Sequence, residues 1–190
     1  MPMQGLYYTI CSLPHLYFGA TPPLTAAAFL ALCEIEASPE SMSTLAAISL
    51  LPPRTRSPLP AIERWYGWER GLRLELARLR ATAGHGQVDL NPWPAEDIPF
   101  AQRDLADRAV AQESPAEAED LLDLARWRFL MELESAHNFG LPKLGLYFLK
   151  LQLLERRARF NQAAGLELRR AILNRVHLPA AATSLAGLER

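Results

Sequence analysis

Between Ser114 and Asn161 the chain is written as two helices with almost nothing between them, and that pairing constrains the fold more than any other feature. Ser114-Pro115-Ala116-Glu117 is a strong helix start. The Ser oxygen can accept an orphan amide, Pro has no amide to orphan, and Glu117 can reach back to the Ser amide. Glu117, Glu119, Asp120 and Asp123 then load the positive end of the helix dipole. Ala118, Leu121, Leu122, Ala125, Phe129, Leu133 and Ala136 recur at helical spacing, predicting a buried stripe along a helix at 115–138. Gly140 permits a left-handed residue after that helix, and Pro142 opens the next at once. So short a connection predicts an antiparallel αα-hairpin.

The second helix of the pair, 142–161, has two apolar faces. Leu144, Tyr147, Phe148, Leu151, Leu154 and Ala158 make one; Leu146, Leu149, Leu153 and Phe160 make the other. A helix apolar on two sides belongs at the centre of a bundle. Across the hairpin, Leu121, Ala125 and Phe129 are expected to face Leu144, Phe148 and Leu151. The basic last turns, with Arg156, Arg157 and Arg159, suit a helix C-terminus.

Upstream, Ile62, Trp65, Trp68, Leu72, Leu76, Leu79 and Ala83 form one stripe of a helix at 60–82, with Glu69 and Arg73 spaced i,i+4 on its other face. It stops at Gly84-His85-Gly86. Thr25 and Ser38-Pro39 cap two shorter helices, and a Pro-rich loop at 91–94 leads to a weaker helical segment at 95–112. Residues 52–60, with four prolines and two arginines, read as a stiff exposed linker or hinge. Residues 6–13 (LYYTICSL) are aromatic and β-branched, so they read as a short strand or extended arm laid on the core. A shorter helix at 164–176 and a frayed tail at 179–190 complete the chain. No strands alternate with the helices. The expected architecture is all-α: a helical bundle of six or seven helices with a short extended N-terminal arm, one domain over 1–178.

Composition narrows the function classes. Hydrophobic residues make up 49% and charged residues 22%, an ordinary globular balance. The net charge is −1, which argues against a nucleic-acid binder, as does the lack of exposed aromatics among Arg156, Arg157, Arg159, Arg169, Arg170 and Arg175. Residues 1–140 hold 11 Lys+Arg against 18 Asp+Glu, while 141–190 hold 9 against 3. Opposite signs on neighbouring segments point first to self-complementary helix faces. The N-terminus lacks the pattern of a signal peptide, and the most apolar stretch, 144–154, is too short to span a bilayer. Cys11 and Cys33 each lie among apolar neighbours and read as two buried thiols in a reducing cytosol. A soluble cytoplasmic protein is expected.

Catalytic motifs are missing. The chain has no phosphate-binding glycine loop and no nucleophile elbow. Cys11 and His15 lie four apart, but one Cys–His pair cannot close a zinc site. Glu134-x-x-His137 has the spacing of di-metal helical bundles, which need two such pairs and two further carboxylates; only one pair occurs here. Glu134 therefore reads as a surface acid and His137 as a C-terminal dipole partner. No metal or other cofactor is expected. Trp65, Trp68 and Arg73, with Arg156 and Arg159, are the residue types that anchor protein interfaces, and they are the candidate partner contacts.

Three segments carry a resemblance. Tyr7-Tyr8-Thr9-Ile10-Cys11-Ser12-Leu13-Pro14-His15-Leu16, followed by Pro22-Pro23-Leu24-Thr25 and Phe29-Leu30-Ala31-Leu32-Cys33, resembles a bacterial family of uncharacterised proteins encoded among V-type ATPase genes. The run from Trp65-Tyr66-Gly67-Trp68 to Arg80 is similar to the same family. So is Phe139-Gly140-Leu141-Pro142-Lys143 through to Glu155, which also resembles, more loosely, a helix of the C/d component of the V-type ATPase central stalk. The resemblance implies a non-catalytic ATPase component: a C/d-like coupler between the membrane rotor ring and the central stalk. Its partners would be the ATPase subunits of the central stalk or rotor ring, and it would lie peripheral to the membrane without inserting in it. A transient assembly factor is the first alternative. A metal-dependent enzyme using Glu134 and His137 is an alternative of another class.

Overall fold

The computed structural model describes residues 6–82 and 98–159. These hold seven helices and, among the described residues, no strand: α1 (Leu6–Ser12), α2 (Ala26–Glu34), α3 (Pro39–Ala46), α4 (Pro60–Thr82), α5 (Phe100–Val110), α6 (Pro115–Ser135) and α7 (Gly140–Arg159). The fold is an all-α helical bundle. Contacts divide the chain into a unit Met1–Glu155 and a second unit from Arg156, of which only 156–159 is described. The Gly84 helix stop, the 91–94 loop, Phe160, Arg169, Arg170, Arg175, the 164–176 helix and the 179–190 tail lie outside the described residues.

Helix starts are set by the expected caps. The hydroxyls of Thr25, Ser38 and Ser114 accept from the amides of Ala28, Ser41 and Glu117 at 3.1, 3.2 and 3.1 Å. Pro39 and Pro115 stand in the first turns, where the amide they lack has no helical partner. α2 has a second cap from far along the chain: Glu155 on α7 accepts from the Ala26 amide at 2.7 Å.

The first segment departs from its sequence pattern. Residues 6–12 form helix α1, not an extended arm. Leu6 and Thr9 are buried, and Ile10 and Leu13 pack partly buried against the main core, so 6, 9, 10 and 13 make a helical stripe. The Glu36 carboxylate accepts from the Thr9 amide at 3.1 Å and hydroxyl at 2.6 Å, fixing α1 to the end of α2. Tertiary contacts outweigh the β-propensity of the aromatic run.

α7 is buried on every side from Leu144 to Leu151, as its two apolar faces require, whereas Ala158 is exposed. Phe29 of α2 lies flat on Tyr147 and Phe148, with ring centroids 5.5 and 5.0 Å apart. Gly145 allows α4 and the segment after α3 to come close, since a Cβ there would stand 2.8 Å from Ile48 Cδ1 and 3.0 Å from Ile62 Cδ1. Gln152 on the same helix holds the loop after α3, donating to the Ile48 carbonyl at 2.9 Å and accepting from the Leu50 amide at 3.1 Å. Within the expected linker at 52–60, Pro52 is buried and the Ser57 amide donates to Glu63 at 2.8 Å, while Arg54 and Arg56 are exposed.

The αα-hairpin forms, with its details shifted. Trp127 meets Lys150 and Glu134 meets Lys143, so α6 and α7 are antiparallel. Gly140 has a φ of 80°, the left-handed conformation that favours glycine, but it opens α7; α6 has already closed at Ala136. The inward face of α6 carries Leu122, Asp123, Arg126, Trp127, Leu130 and Leu133. Leu121, Ala125 and Phe129 are only half-buried, and Ala136 is exposed. Of the six residues expected to meet across the hairpin, Leu121 and Ala125 pack instead on a smaller cluster made by Leu72, Leu76, Leu105, Ala106, Ala109 and Leu122. α5 reaches this cluster parallel to α4: Gln102 donates to the Trp68 carbonyl at 2.8 Å, near Gly71, and Arg103 acts on Glu75 farther along.

Candidate functional site

Where the two apolar clusters join, α4 and α6 bury a set of charges. Glu69, expected on a solvent face, is 1% exposed, and Arg126 across from it is 5% exposed. Arg126 donates to both oxygens of Glu69, at 3.0 and 3.1 Å, and to the buried carboxylate of Asp123 at 3.0 Å. Arg73 adds a bond to Glu69 at 2.7 Å from the rim. Burial opposes the Arg126 charge, but Glu69 and Asp123 outweigh it and hold its pKa above the ordinary guanidinium value. Arg126 thus binds both buried carboxylates, with Glu119 3.7 Å away at the rim, and the set holds α4 to α6 with a geometry that a shifted register would break. Such a group specifies a pairing.

A second charged group lies across the hairpin. The Glu134 carboxylate accepts from Lys143 at 2.8 Å and from Lys150, whose ammonium also stands 5.3 Å from the Trp127 ring centroid. Glu134 is therefore not the free surface acid expected from its spacing. Burial alone would raise its pKa; the hydrogen bonds and charges of the two lysines outweigh burial and hold the carboxyl below the usual range. His137 is half-buried after the end of α6. Among the described residues, no group of three His, Cys, Asp or Glu side chains is placed to hold a metal ion. Cys33 is buried and its thiol is pushed up to about 11 by desolvation, whereas Cys11, expected to be buried, is exposed.

The candidate partner contacts differ in how far a partner could reach them. Trp65 is 0% exposed and stacks on Trp68 at 5.8 Å, so a partner cannot reach it. Trp68 is half-buried against Phe129 at 4.9 Å. Arg73 is exposed but bound to Glu69. Arg156 is half-buried and Arg159 exposed at the end of α7, and neither is without an interaction partner.

An exposed aromatic group lies elsewhere. Tyr7, Tyr8 and Phe139 are 50%, 72% and 61% exposed. Tyr7 stacks on Phe139 at 5.6 Å and meets Tyr8 edge-on at 5.8 Å. A hydrogen bond with the Cys11 thiol beside it raises the Tyr7 pKa above the ordinary phenol value. A period of two along LYYTICSL hides this surface. With period 3.6, Leu6, Thr9, Ile10 and Leu13 turn inward, and Tyr7, Tyr8 and Cys11 are left outside. Separately, a cleft of about 460 Å³ opens between the ends of α4 and α5 and the start of α6, floored by Leu76, Ala109 and Leu122. No helix among the described residues is long and apolar enough to cross a membrane.

Comparison with known proteins gives no further guide: no protein-family profile, no curated protein and no solved structure matches this chain.

Proposed function

We propose that this chain is a non-catalytic component of a V-type ATPase, a C/d-like coupler between the membrane rotor ring and the central stalk. One observation supports the reading beyond the sequence resemblance. Two of the three segments that bear the resemblance, 7–16 and 139–155, are far apart in the chain yet meet in space, where Tyr7 stacks on Phe139. Their meeting leaves large aromatic rings exposed, and aromatic residues are what protein interfaces favour at their centres. A part that transmits torque also needs stiffness. A helix buried on all sides and a charge-matched α4–α6 contact are consistent with that need. On this reading the protein is cytoplasmic and sits at the membrane through the ATPase, and the charged side chains serve structure and contact rather than catalysis.

Affinity purification of the tagged chain from its own cells, at low and at physiological salt, tests the reading. Stoichiometric recovery of central-stalk or rotor-ring subunits is the expected result. Recovery with incomplete complexes alone would favour an assembly factor, and recovery of no ATPase subunit would overturn both.

A further inference from the structure

We propose that the exposed aromatic face of α1 and the α6–α7 turn is the docking surface of this protein, and that it takes a Lys- or Arg-bearing segment of a partner protein. The proposal rests on the coupler reading and adds to it the site and the chemistry of the partner.

Geometry defines the surface. Tyr7, Tyr8 and Phe139 form a contiguous exposed group, joined by ring contacts of 5.6 and 5.8 Å. The end of α2 is held against α1 by the bonds from Thr9 to Glu36, which brings with it Ile35, 78% exposed, and the exposed Glu34. The Glu36 carboxylate therefore lies at α1, the helix that carries both tyrosines.

Charge selects the occupant. The first 53 residues contain Glu34, Glu36 and Glu40 and no Lys or Arg. Lys143, four residues after Phe139, is bound to Glu134. A surface of tyrosine faces beside carboxylates attracts cations and repels anions, since the ring quadrupole is negative on its face. An anionic lipid surface or a nucleic-acid backbone calls for lysines and arginines on the protein, and among the described residues α1, α2 and α3 carry none. A basic protein segment satisfies both the rings and the acids. Such a surface also steers its partner in, so association should weaken as salt rises.

The test uses the full chain in its own cells with Tyr8→p-benzoylphenylalanine as a photo-crosslinker, followed by identification of the attached peptide. A crosslink to a Lys- or Arg-bearing segment of an ATPase subunit is expected. A crosslink to an acidic segment, to lipid, to nucleic acid or to a second copy of this chain would overturn the proposal. So would the absence of any crosslink in a purified ATPase that contains the chain. A crosslink to a basic segment of some other protein, with no ATPase subunit recovered, would leave the docking surface standing and remove the ATPase reading. In parallel, Tyr8→Lys and Glu34→Lys place like charge at exposed positions. Each should weaken association with the crosslinked partner at least tenfold with an unchanged melting temperature, and unaltered binding by both variants would also overturn the proposal.

Discussion

Replacing Arg126 with Met removes the cation on which the α4–α6 contact depends. In the native protein the guanidinium is 5% exposed and neutralises Glu69 and Asp123, which are 1% and 2% exposed. Met fills much of the same volume, so little of the loss should come from packing. What remains is two buried carboxylates: Glu69 keeps one bond, from Arg73 at 2.7 Å, and Asp123 loses its bond from Arg126 at 3.0 Å. Removing the cation to which a buried carboxylate is bound costs about 3–5 kcal/mol. Arg73 is the internal control. It binds the same Glu69, but its side chain is 43% exposed, so water and salt screen the pair; Arg73→Met should cost about 0–1 kcal/mol. Urea unfolding followed by circular dichroism and tryptophan fluorescence measures both. The Glu69→Leu/Asp123→Leu/Arg126→Met triple variant should recover most of the stability lost in Arg126→Met, because both buried carboxylates are then removed with their cation. If Arg126→Met costs no more than Arg73→Met, the argument that this network is buried and matched is wrong.

Phe148→Ala should cost about 3–5 kcal/mol and lower the melting temperature sharply, since the ring is 4% exposed and stacks on Phe29. Glu134→Gln should cost about 1.5–3 kcal/mol at neutral pH, because it leaves the buried Lys150 without a charged acceptor. The folded pKa of Glu134 is depressed, so its contribution is complete above the unfolded glutamate value of about 4.3 and lost as pH falls through the folded value; unfolding curves of the two proteins should converge there. Under native conditions near pH 8, a thiol reagent should modify the exposed Cys11 quickly and Cys33 only as the protein opens, as Cys33 is buried with its thiol pushed up to about 11.

Helix starts are legible in the sequence because they are local. A Ser or Thr cap, with or without Pro at the next position, is settled within four residues, and the caps at Thr25, Ser38 and Ser114 form as expected. The apolar stripe of α4 is likewise local, and Ile62, Trp65, Leu72 and Leu76 are all buried. Pattern fails where a distant residue decides. Charge alone sends Asp123 and Arg126 towards water, yet each is buried because the other, with Glu69 more than 50 residues away, cancels its cost. That pairing turns the inward face of α6 from Phe129 towards Trp127. α1 is hidden for a similar reason: its helix is secured by Glu36, which the pattern of residues 6–13 alone does not reveal. The exposed rings of Tyr7 and Tyr8 follow from that helix and have no place without it.

The central claim is that this chain couples an ATPase and performs no chemistry of its own. It is tested most directly in membranes from cells lacking the chain, by measuring ATP hydrolysis and ion transport of the V-type ATPase side by side. A coupler predicts that hydrolysis persists while transport is lost, and that both track again when the chain is added back. Equal, undiminished hydrolysis and transport in its absence would contradict the account.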